Sequence, residues 1–428
     1  MASGRLARLE RNDNFFRQGG GAREAAEAKV RRAFKRCAEN GVLILSEQGL
    51  SGALPPSVCG FQEAAHHENW WEQSPVLKLD VSHNELDSIP CEIGRLADCA
   101  AVVARANTLR SLPEELFAEL PLKQLDVRQN RLERLPAGAA LARAEALVEL
   151  VLSENGLAEL PEEVVRLPAL EALEVASNRL SSLPDAAWAC SRLRRLDVAG
   201  NRLGPTLPMA LRHCCGSLRE LSASGNALKD LGDFFVVGET GHGWATGLVS
   251  IDLGNNQLQG ALRIGGLVAL DSLVVASNQL AQLDFMGMPL PRISALLAGG
   301  NRIAEVPQEL LPDSAPMLGT LDLQNNSLAS VPPELGLAAA LKRIALGGNP
   351  LRSIRPELVR GSAEALKKHL RSRLPDQPAQ GAAGKLDMDG LQVDLRDAAA
   401  TGDLALEGRG LRVLPALPPG LTRLHVPG

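Results

Sequence analysis

One repeating pattern, L-x-x-L-x-L-x-x-N-x-L, dominates the sequence and is usually followed by x-x-L-P. Clear copies begin at Leu122 and at Leu318. Successive asparagines of the pattern are 22 to 30 residues apart. A period of roughly 20–50 residues indicates a chain built from stacked structural units. The pattern occurs twelve times, and its asparagines are Asn84, Asn107, Asn130, Asn155, Asn178, Asn201, Asn226, Asn256, Asn278, Asn301, Asn326 and Asn349.

Each copy of the pattern predicts one coil of a solenoid. The L-x-L part alternates with a period of two, so its leucines point to one face of a short β-strand. The asparagine follows where the chain turns away, and we predict a structural role for it, because its amide can bond backbone groups of neighbouring coils. A proline then often opens the outer segment, as at Pro113, Pro161 and Pro307, and suits the first position of a helix. The predicted fold class is therefore α/β: a right-handed, horseshoe-shaped solenoid with a concave parallel β-sheet and short convex helices or 3₁₀ turns.

The composition fits a thin, repetitive core and argues against several classes of function. The 428 residues include 8 Phe, 4 Trp and no Tyr, so the core must consist mainly of Leu, Ala and Val. A formal net charge of −5 argues against a general nucleic-acid binder, which needs a basic surface. No apolar run reaches the ~18 residues that a membrane span requires. The seven cysteines include no C-x-x-C pair, so we expect a reducing compartment, the cytoplasm or also the nucleus.

The pattern divides the chain into four expected parts. Residues 1–73 are expected to hold an amino-terminal capping helix and a degenerate first coil. Residues 74–374 are expected to form the repeat solenoid, closed by a carboxyl-terminal capping helix. Residues 375–390 have the composition of a linker. Residues 391–428 resume the pattern and are expected to be either the start of a second, incomplete repeat segment or a disordered tail.

Two segments depart from the regular pattern. Residues 66–72 mix possible metal ligands with two tryptophans, but adjacent histidines on a strand point to opposite sides and suit one metal ion poorly. We expect this segment to pack onto the first full coil. Residues 238–247 are glycine-rich but lack the Gly-Lys-Ser/Thr of a phosphate loop, so we expect a surface insertion, with partner contact as the alternative. An unrecognised enzymatic or ligand site in either segment is the alternative to a non-catalytic protein.

No catalytic signature is present: there is no Walker loop, no G-x-S-x-G elbow, no H-E-x-x-H and no kinase motif. The prediction is a protein that is not an enzyme, without cofactor, metal or small-molecule substrate. The residue between the two inward apolar residues of L-x-L, which faces the concave side, is acidic in six of twelve coils. Such a charged wall can hold a partner protein by complementary charge. Alternatively, these charges only keep the face soluble. The candidate contact residues are Asp80, Arg105, Asp126, Arg128, Glu174, Arg194 and Asp197.

The repeats, many of them 23 residues long with Leu-Pro after the asparagine, resemble those of the intracellular Ras-group leucine-rich repeat proteins. Residues 16–20, 70–73 and 346–355 carry a closer likeness within that group, which covers roughly residues 10–375. The resemblance implies a protein-interaction scaffold in intracellular signalling, with a Ras-family GTPase or its regulators as the partner, and no activity or cofactor. Its closer members continue through a second repeat array, and the last residues of this chain are expected to be either the start of one or a disordered tail.

Overall fold

The computed structural model describes most of the repeat region of the chain. The chain forms two compact units, Met1–Leu370 and Arg371–Gly428, and each is described by itself. The described residues are 32–59, 75–186, 188–214, 216–236 and 247–374, together with the backbone of 403–405 and 423–425.

Thirteen parallel strands of three residues form one continuous sheet in the first unit, in the order in which they occur along the chain. We number the coils 1–13 after these strands. Neighbouring strands pair so that equivalent repeat positions stand side by side; Asp126, for example, pairs with Val151. In chain order the strands are Val42–Ile44, Lys78–Asp80, Ala101–Val103, Gln124–Asp126, Glu149–Val151, Ala172–Glu174, Arg195–Asp197, Glu220–Ser222, Ser250–Asp252, Ser272–Val274, Ala295–Leu297, Thr320–Asp322 and Arg343–Ala345.

A column of aliphatic side chains fills the space behind the sheet. Each strand contributes its middle residue and the residue that follows the strand; in coil 7 these are Leu196 and Val198, and both are fully buried. Large rings enter this core at few places. Phe234 and Phe235 pack edge to face with ring centroids 5.0 Å apart, and Phe117 is also fully buried. The core is thin because each coil supplies only one layer of side chains, which explains the scarcity of aromatic residues.

The segments opposite the sheet are mostly short helices and 3₁₀ turns, and the predicted α/β solenoid is confirmed. No described helix is long and apolar enough to cross a membrane. Prolines stand near several of these helices: Pro356 takes the first position of its helix, whereas Pro113 lies two residues before its own. The helices are Pro56–Cys59, Glu115–Ala118, Gly138–Leu141 and Pro356–Val359, and the 3₁₀ turns are Cys91–Arg95, Val164–Arg166, Met209–Cys214, Gln308–Leu310 and Pro333–Leu337.

Two places on the returning side carry short strands that the repeat pattern does not predict. The reason is visible in coil 9, where Leu262 and Ile264 are buried and Arg263 between them is exposed. This alternation has a period of two and therefore suits a strand. The two small parallel sheets pair Ser51–Ala53 with Glu85–Ser88 and Gln259–Arg263 with Gln279–Asp284.

A helix covers the amino-terminal end of the aliphatic column. Residues 32–40 are helical, and Phe34 and Cys37 are buried on the face that meets the core. Gly41 follows with a φ of 73° and donates its N–H to the carbonyl oxygen of Cys37. A left-handed glycine at this position ends a helix without side-chain strain. The chain can therefore turn at once into the first strand.

The helix Ala363–Arg371 closes the other end of the column. Ser362 caps its first turn, since its hydroxyl accepts the N–H of Ala365 at 3.2 Å. Leu366 and Leu370 are buried. Lys367 is also buried, and its ammonium group donates to the carbonyl oxygens of Ala338 at 3.2 Å and Leu341 at 3.0 Å. This lysine satisfies backbone carbonyls that no further coil of the unit covers.

The second unit contains one described pair of strands. Asp403–Ala405 pairs in parallel with Arg423–His425, and Leu404 stands beside Leu424. Paired positions are 20 residues apart along the chain, close to the spacing of the repeats in the first unit. The rest of residues 375–428, including the expected linker, lies outside the described residues.

Candidate functional site

Three residues of each coil face the concave side of the sheet. They are the first and third residues of the strand and the second residue past the strand, which we call the shoulder residue. In coil 4 these are Gln124, Asp126 and Arg128. The residue after each shoulder has a φ between 51° and 75° in all thirteen coils. The chain therefore leaves the sheet through the same left-handed turn each time, even where this residue is not glycine.

The repeat asparagines hold this turn in place. In coil 3 the side-chain NH₂ of Asn107 donates to the carbonyl oxygens of Ala104 in its own coil, at 3.1 Å, and of Val81 in the preceding coil, at 2.9 Å. Its Oδ1 accepts the N–H of Leu86 at 3.0 Å. All twelve asparagines repeat these contacts. These asparagine hydrogen bonds, which we call the ladder, lie between the coils, so other residues form the concave face.

Aspartate at the third strand position has a structural task that the sequence pattern did not disclose. Each of these carboxylates accepts the N–H of its own shoulder residue, with Oδ1–N distances of 2.9–3.2 Å. The shoulder N–H has no backbone partner in these coils, so the carboxylate satisfies it. The enrichment of acidic residues on the face is thus partly explained by backbone chemistry. The five aspartates are Asp80, Asp126, Asp197, Asp252 and Asp322.

Charged side chains on coils 4–8 also bond across the coils. Arg195 in coil 7 pairs with Glu174 of the preceding coil at 3.5 Å and with Glu220 of the next at 2.8 Å. The hydrogen bond with Glu220, together with the negative charges of Glu220 and Glu174, raises the pKa of Arg195 above its ordinary value. Gln124 donates to a carboxylate oxygen of Glu149 at 2.9 Å. These contacts hold the charged side chains in defined positions across the sheet.

Asp126 is the most buried of the candidate contact residues, with 5% of its surface exposed. Both of its carboxylate oxygens accept hydrogen bonds from the Arg128 guanidinium at 2.8–3.0 Å. These hydrogen bonds raise the pKa of Arg128 above its usual range. The Arg128 side chain remains 39% exposed. The guanidinium of Arg128 is therefore the accessible part of this pair, and Asp126 lies beneath it and fixes its position.

The other candidate residues lie along the same half of the solenoid without converging on one point. Asp80 in coil 2 is half-buried, and Arg105 in coil 3 is exposed. Glu174 and Asp197 are half-buried on adjacent coils. Arg194 precedes the strand of coil 7, is exposed, and lies 3.8 Å from a carboxylate oxygen of Glu171. The seven residues therefore form an extended charged surface that runs along several coils.

The two segments that depart from the repeat pattern and the buried cysteines are the remaining candidates for a catalytic or metal site. Residues 66–72, and 238–246 of the glycine-rich segment, lie outside the described residues. Within the described ranges, no group of three or more His, Cys, Asp and Glu side chains is placed to hold a metal ion. Burial raises the pKa of the Cys37 thiol to about 11 and that of Cys59 to about 12, so both are protonated at neutral pH and poor nucleophiles.

Comparison with known proteins shows which type of repeat this chain resembles. A family model described as leucine rich repeat matches residues 145–203, which contain the strands of coils 5–7. Leucine-rich repeat serine/threonine-protein kinase 1 of Mus musculus is 31% identical over 304 residues, which are 67% of this chain and 13% of that protein. The fold is that of a leucine-rich repeat solenoid, and the sequence is similar to leucine-rich repeat proteins over most of its length.

Leucine-rich repeat proteins of other kinds are also similar to this chain. Transforming growth factor beta activator LRRC32 of Pongo abelii is 30% identical over 299 residues, which are 65% of this chain and 39% of that protein. The chain thus spans 13% of the length of one of these two relatives and 39% of the other. What this chain shares with them is the repeat.

Solved leucine-rich repeat structures agree with the fold described above. A leucine-rich repeat protein of Leptospira interrogans superposes with a TM-score of 0.53 at 24% identity, covering 80% of this chain and 97% of that one. An internalin of Listeria monocytogenes superposes with a TM-score of 0.59 at 18% identity, covering 81% of this chain and 93% of that one. At these identities the likeness concerns the fold alone. Leucine-rich repeat domains generally mediate protein–protein interaction, usually without catalysis.

Proposed function

We propose that this chain is a non-catalytic scaffold or adaptor in intracellular signalling that binds a partner protein on its concave face. The supporting observation is the array of charged side chains on coils 4–8, held in position by the ion pairs of Arg195 and the hydrogen bonds of Arg128. Side chains that are already ordered lose less conformational entropy when a partner binds. The face is thus prepared for a contact based on charge and area.

The sign of the charge suggests the chemistry of the partner. The first and third strand positions of coils 5–9 carry five carboxylates and one cation, so 1 − 5 gives a net charge of −4 on this part of the sheet. A partner with a basic surface would be attracted by this charge, and charges of the wrong sign would be repelled. The residues concerned are Glu149, Glu174, Arg195, Asp197, Glu220 and Asp252.

The finer identity of the partner rests on resemblance. The repeats resemble those of the Ras-group proteins, and residues 16–20, 70–73 and 346–355 resemble segments of leucine-rich repeat-containing protein 40. We therefore take a Ras-family GTPase or one of its regulators as the partner, and the cytoplasm, or also the nucleus, as the location. The parallel pair at 403–405 and 423–425 supports a further repeat segment in residues 391–428.

The test uses charge removal that preserves the fold. In the full chain, Glu174→Gln, Arg195→Gln and Asp197→Asn are combined; the amide oxygen of Asn at position 197 can still accept the N–H of Ala199. Partner proteins recovered from cells are quantified by mass spectrometry, with and without a GTP analogue. We expect recovery of the specific partner to fall about tenfold. Dependence on the analogue would identify a GTPase-linked partner.

A matched control removes an ion pair from the opposite side of the solenoid. Glu162 and Arg166 form an exposed pair at 2.9 Å next to the 3₁₀ turn Val164–Arg166. The double variant Glu162→Gln/Arg166→Gln should recover the partner like the wild type. If the concave variant retains its partner and the control variant loses it, the binding face is the convex one and the proposal is wrong.

A further inference from the structure

Coils 10 and 11 are adjacent coils in which no side chain satisfies the shoulder N–H. Among the described residues the same donor also lacks a partner in coils 1, 3, 5, 8 and 13, but every neighbour of those coils has its shoulder N–H satisfied. Their third strand residues are the aliphatic Val274 and Leu297, which accept no hydrogen bond. In the described part of the chain, the N–H groups of the shoulder residues Ala276 and Gly299 have no hydrogen-bond partner. Both shoulders are partly exposed. Two backbone donors on neighbouring coils, ~4.8 Å apart, are therefore available on the concave face.

Aspartates stand on both sides of this pair of coils. Asp252 in coil 9 uses Oδ1 to accept the N–H of Gly254 at 2.9 Å, and Asp322 in coil 12 does the same for Gln324 at 3.0 Å. Neither carboxylate forms an ion pair with any cation among the described residues. Three strand spacings separate the two coils, which places the aspartates ~14 Å apart.

Small shoulder residues keep the space between the aspartates open. A methyl group added at Gly299 would lie 3.2 Å from Oδ1 of Asp322, tighter than ordinary contact. One added at Gly254 would lie 3.2 Å from Oδ1 of Asp252 and 3.5 Å from Val274. Ala276 stands between these two glycines. The shoulder row of coils 9–11 therefore forms a shallow trough with an aliphatic floor, two free donors and a carboxylate at each end.

We propose that coils 9–12 form a binding subsite for an extended basic polypeptide segment. Carbonyl oxygens of the segment accept the N–H groups of Ala276 and Gly299, an aliphatic side chain packs on Leu297, and two Lys or Arg side chains pair with Asp252 and Asp322. This inference rests on the proposed function only in placing a protein partner on the concave face.

The geometry specifies the spacing within that segment. An extended chain advances ~3.4 Å per residue, so ~14 Å corresponds to about four residues. Residues i, i+2 and i+4 of an extended chain point to the same side. The fitting pattern is therefore basic-x-aliphatic-x-basic. Acidic peptides and phosphate-bearing ligands are disfavoured, because the unpaired carboxylates at both ends of the trough would repel them.

The test measures binding of a fluorescent peptide to the purified full chain by fluorescence anisotropy. The probe contains Lys-Ser-Val-Ser-Lys flanked by glycines, with both ends blocked, and the matched probe has Glu at both Lys positions. We expect the Lys probe to bind and the Glu probe to bind at least about tenfold more weakly. Equal binding of the two probes, or no binding of the Lys probe at millimolar concentration, would overturn the proposal.

Two double variants test the placement of the subsite. Asp252→Asn with Asp322→Asn removes both charges but keeps an oxygen acceptor for each shoulder N–H, and should weaken binding of the Lys probe about tenfold. Asp98→Asn with Asp313→Asn removes two carboxylate charges from exposed positions outside the thirteen-stranded sheet and should leave the binding of the probe unchanged. The opposite ranking of the two double variants would place the probe away from coils 9–12 and contradict the inference.

A third variant separates hydrogen bonding and apolar contact from simple charge attraction. Leu297→Asp should fold, since five coils already carry aspartate at this position, and its carboxylate can satisfy the N–H of Gly299. The variant adds negative charge, yet we expect the Lys probe to bind about fivefold more weakly, because one donor and part of the floor are lost. Tighter binding would show that only charge matters and would refute the subsite.

The experiments also distinguish a peptide in the trough from a second copy of the chain. Failure of this subsite can be told apart from failure of the proposed function. If sedimentation shows a dimer that dissociates in Asp252→Asn/Asp322→Asn, the trough holds a second copy of the chain and the peptide inference is wrong. If the Lys probe fails while Glu174→Gln/Arg195→Gln/Asp197→Asn still abolishes partner recovery, the proposed function stands and only this subsite is rejected.

Discussion

The concave face has two regions that differ in how their surface is held. On coils 4–8, side chains bond across the coils, most clearly where Arg195 pairs with Glu174 and Glu220. On coils 10 and 11 the same positions carry Val274, Leu297 and small residues, and two shoulder N–H groups are left without a partner among the described residues. The first region has ordered charges and only isolated open donors, at Ser153 and Ser224, whereas the second has two open donors on adjacent coils and no charged strand residue.

The difference is confined to the surface, because the two regions share the same internal bonding. Asn201 in coil 7 and Asn301 in coil 11 each donate to the carbonyl oxygens of two coils and accept one N–H, at matching distances of 2.9–3.1 Å. Stability comes from stacking each coil on its neighbours. The residues on the concave face can therefore vary widely while the solenoid stays the same, which lets one fold present different binding surfaces.

The largest expected effect tests this shared ladder. Asn201→Ala and Asn301→Ala should each lower the free energy of unfolding by roughly 3 kcal/mol, because each leaves buried carbonyl and N–H groups without partners. Urea unfolding followed by circular dichroism measures both. The two losses should agree within about 1 kcal/mol, since distances and burial are alike. A much smaller loss of unfolding free energy at Asn301 than at Asn201 would mean that coils 10 and 11 depend less on the ladder than coils 4–8 do.

The ladder is also the part of the molecule that could be predicted from the sequence. The spacing of the twelve asparagines predicts coils 2–13 and the order of their strands, and the L-x-L alternation predicts which leucines face the core. Coil 1 carries Gln48 in place of the asparagine. The alternation of Leu262, Arg263 and Ile264 is a strand signal on the returning side that the repeat pattern alone does not reveal.

Other features depend on contacts that no local pattern announces. Lys367 stands between two buried leucines of a helix, and only the position of the preceding coil explains why its ammonium group is buried against the carbonyl oxygen of Leu341. Asp126 was selected for its charge, yet its burial beneath Arg128 follows from the three-dimensional arrangement. The acidic enrichment of the face was evident in the sequence, whereas its link to the shoulder N–H groups required the backbone geometry.

A smaller effect is expected from the aspartates that satisfy the shoulder N–H groups. Asp197→Ala removes the acceptor of the Ala199 N–H and should cost about 1 kcal/mol of unfolding free energy, because the group is only partly shielded from water. Asp197→Asn keeps an oxygen in the same place and should cost less than half as much. Urea unfolding of the two variants side by side makes the comparison, and equal losses would show that charge, and not the hydrogen bond, explains this aspartate.

The smallest effect concerns the cross-coil ion pairs of the charged region. Arg195→Gln removes the pairs with Glu174 and Glu220, but the arginine side chain is 51% exposed, so the expected loss is about 0.5 kcal/mol at low salt. The loss should shrink further at high ionic strength, where exposed charges are screened. Arg302→Gln is the matched control, since Arg302 donates to the neutral side chain of Gln279 at 3.2 Å. Its effect on urea unfolding should not change with salt. A salt-independent loss at Arg195 would mean that its aliphatic stem, packed across neighbouring strands, matters more than its charge, and the contrast between the two regions would then be one of packing as well as of charge.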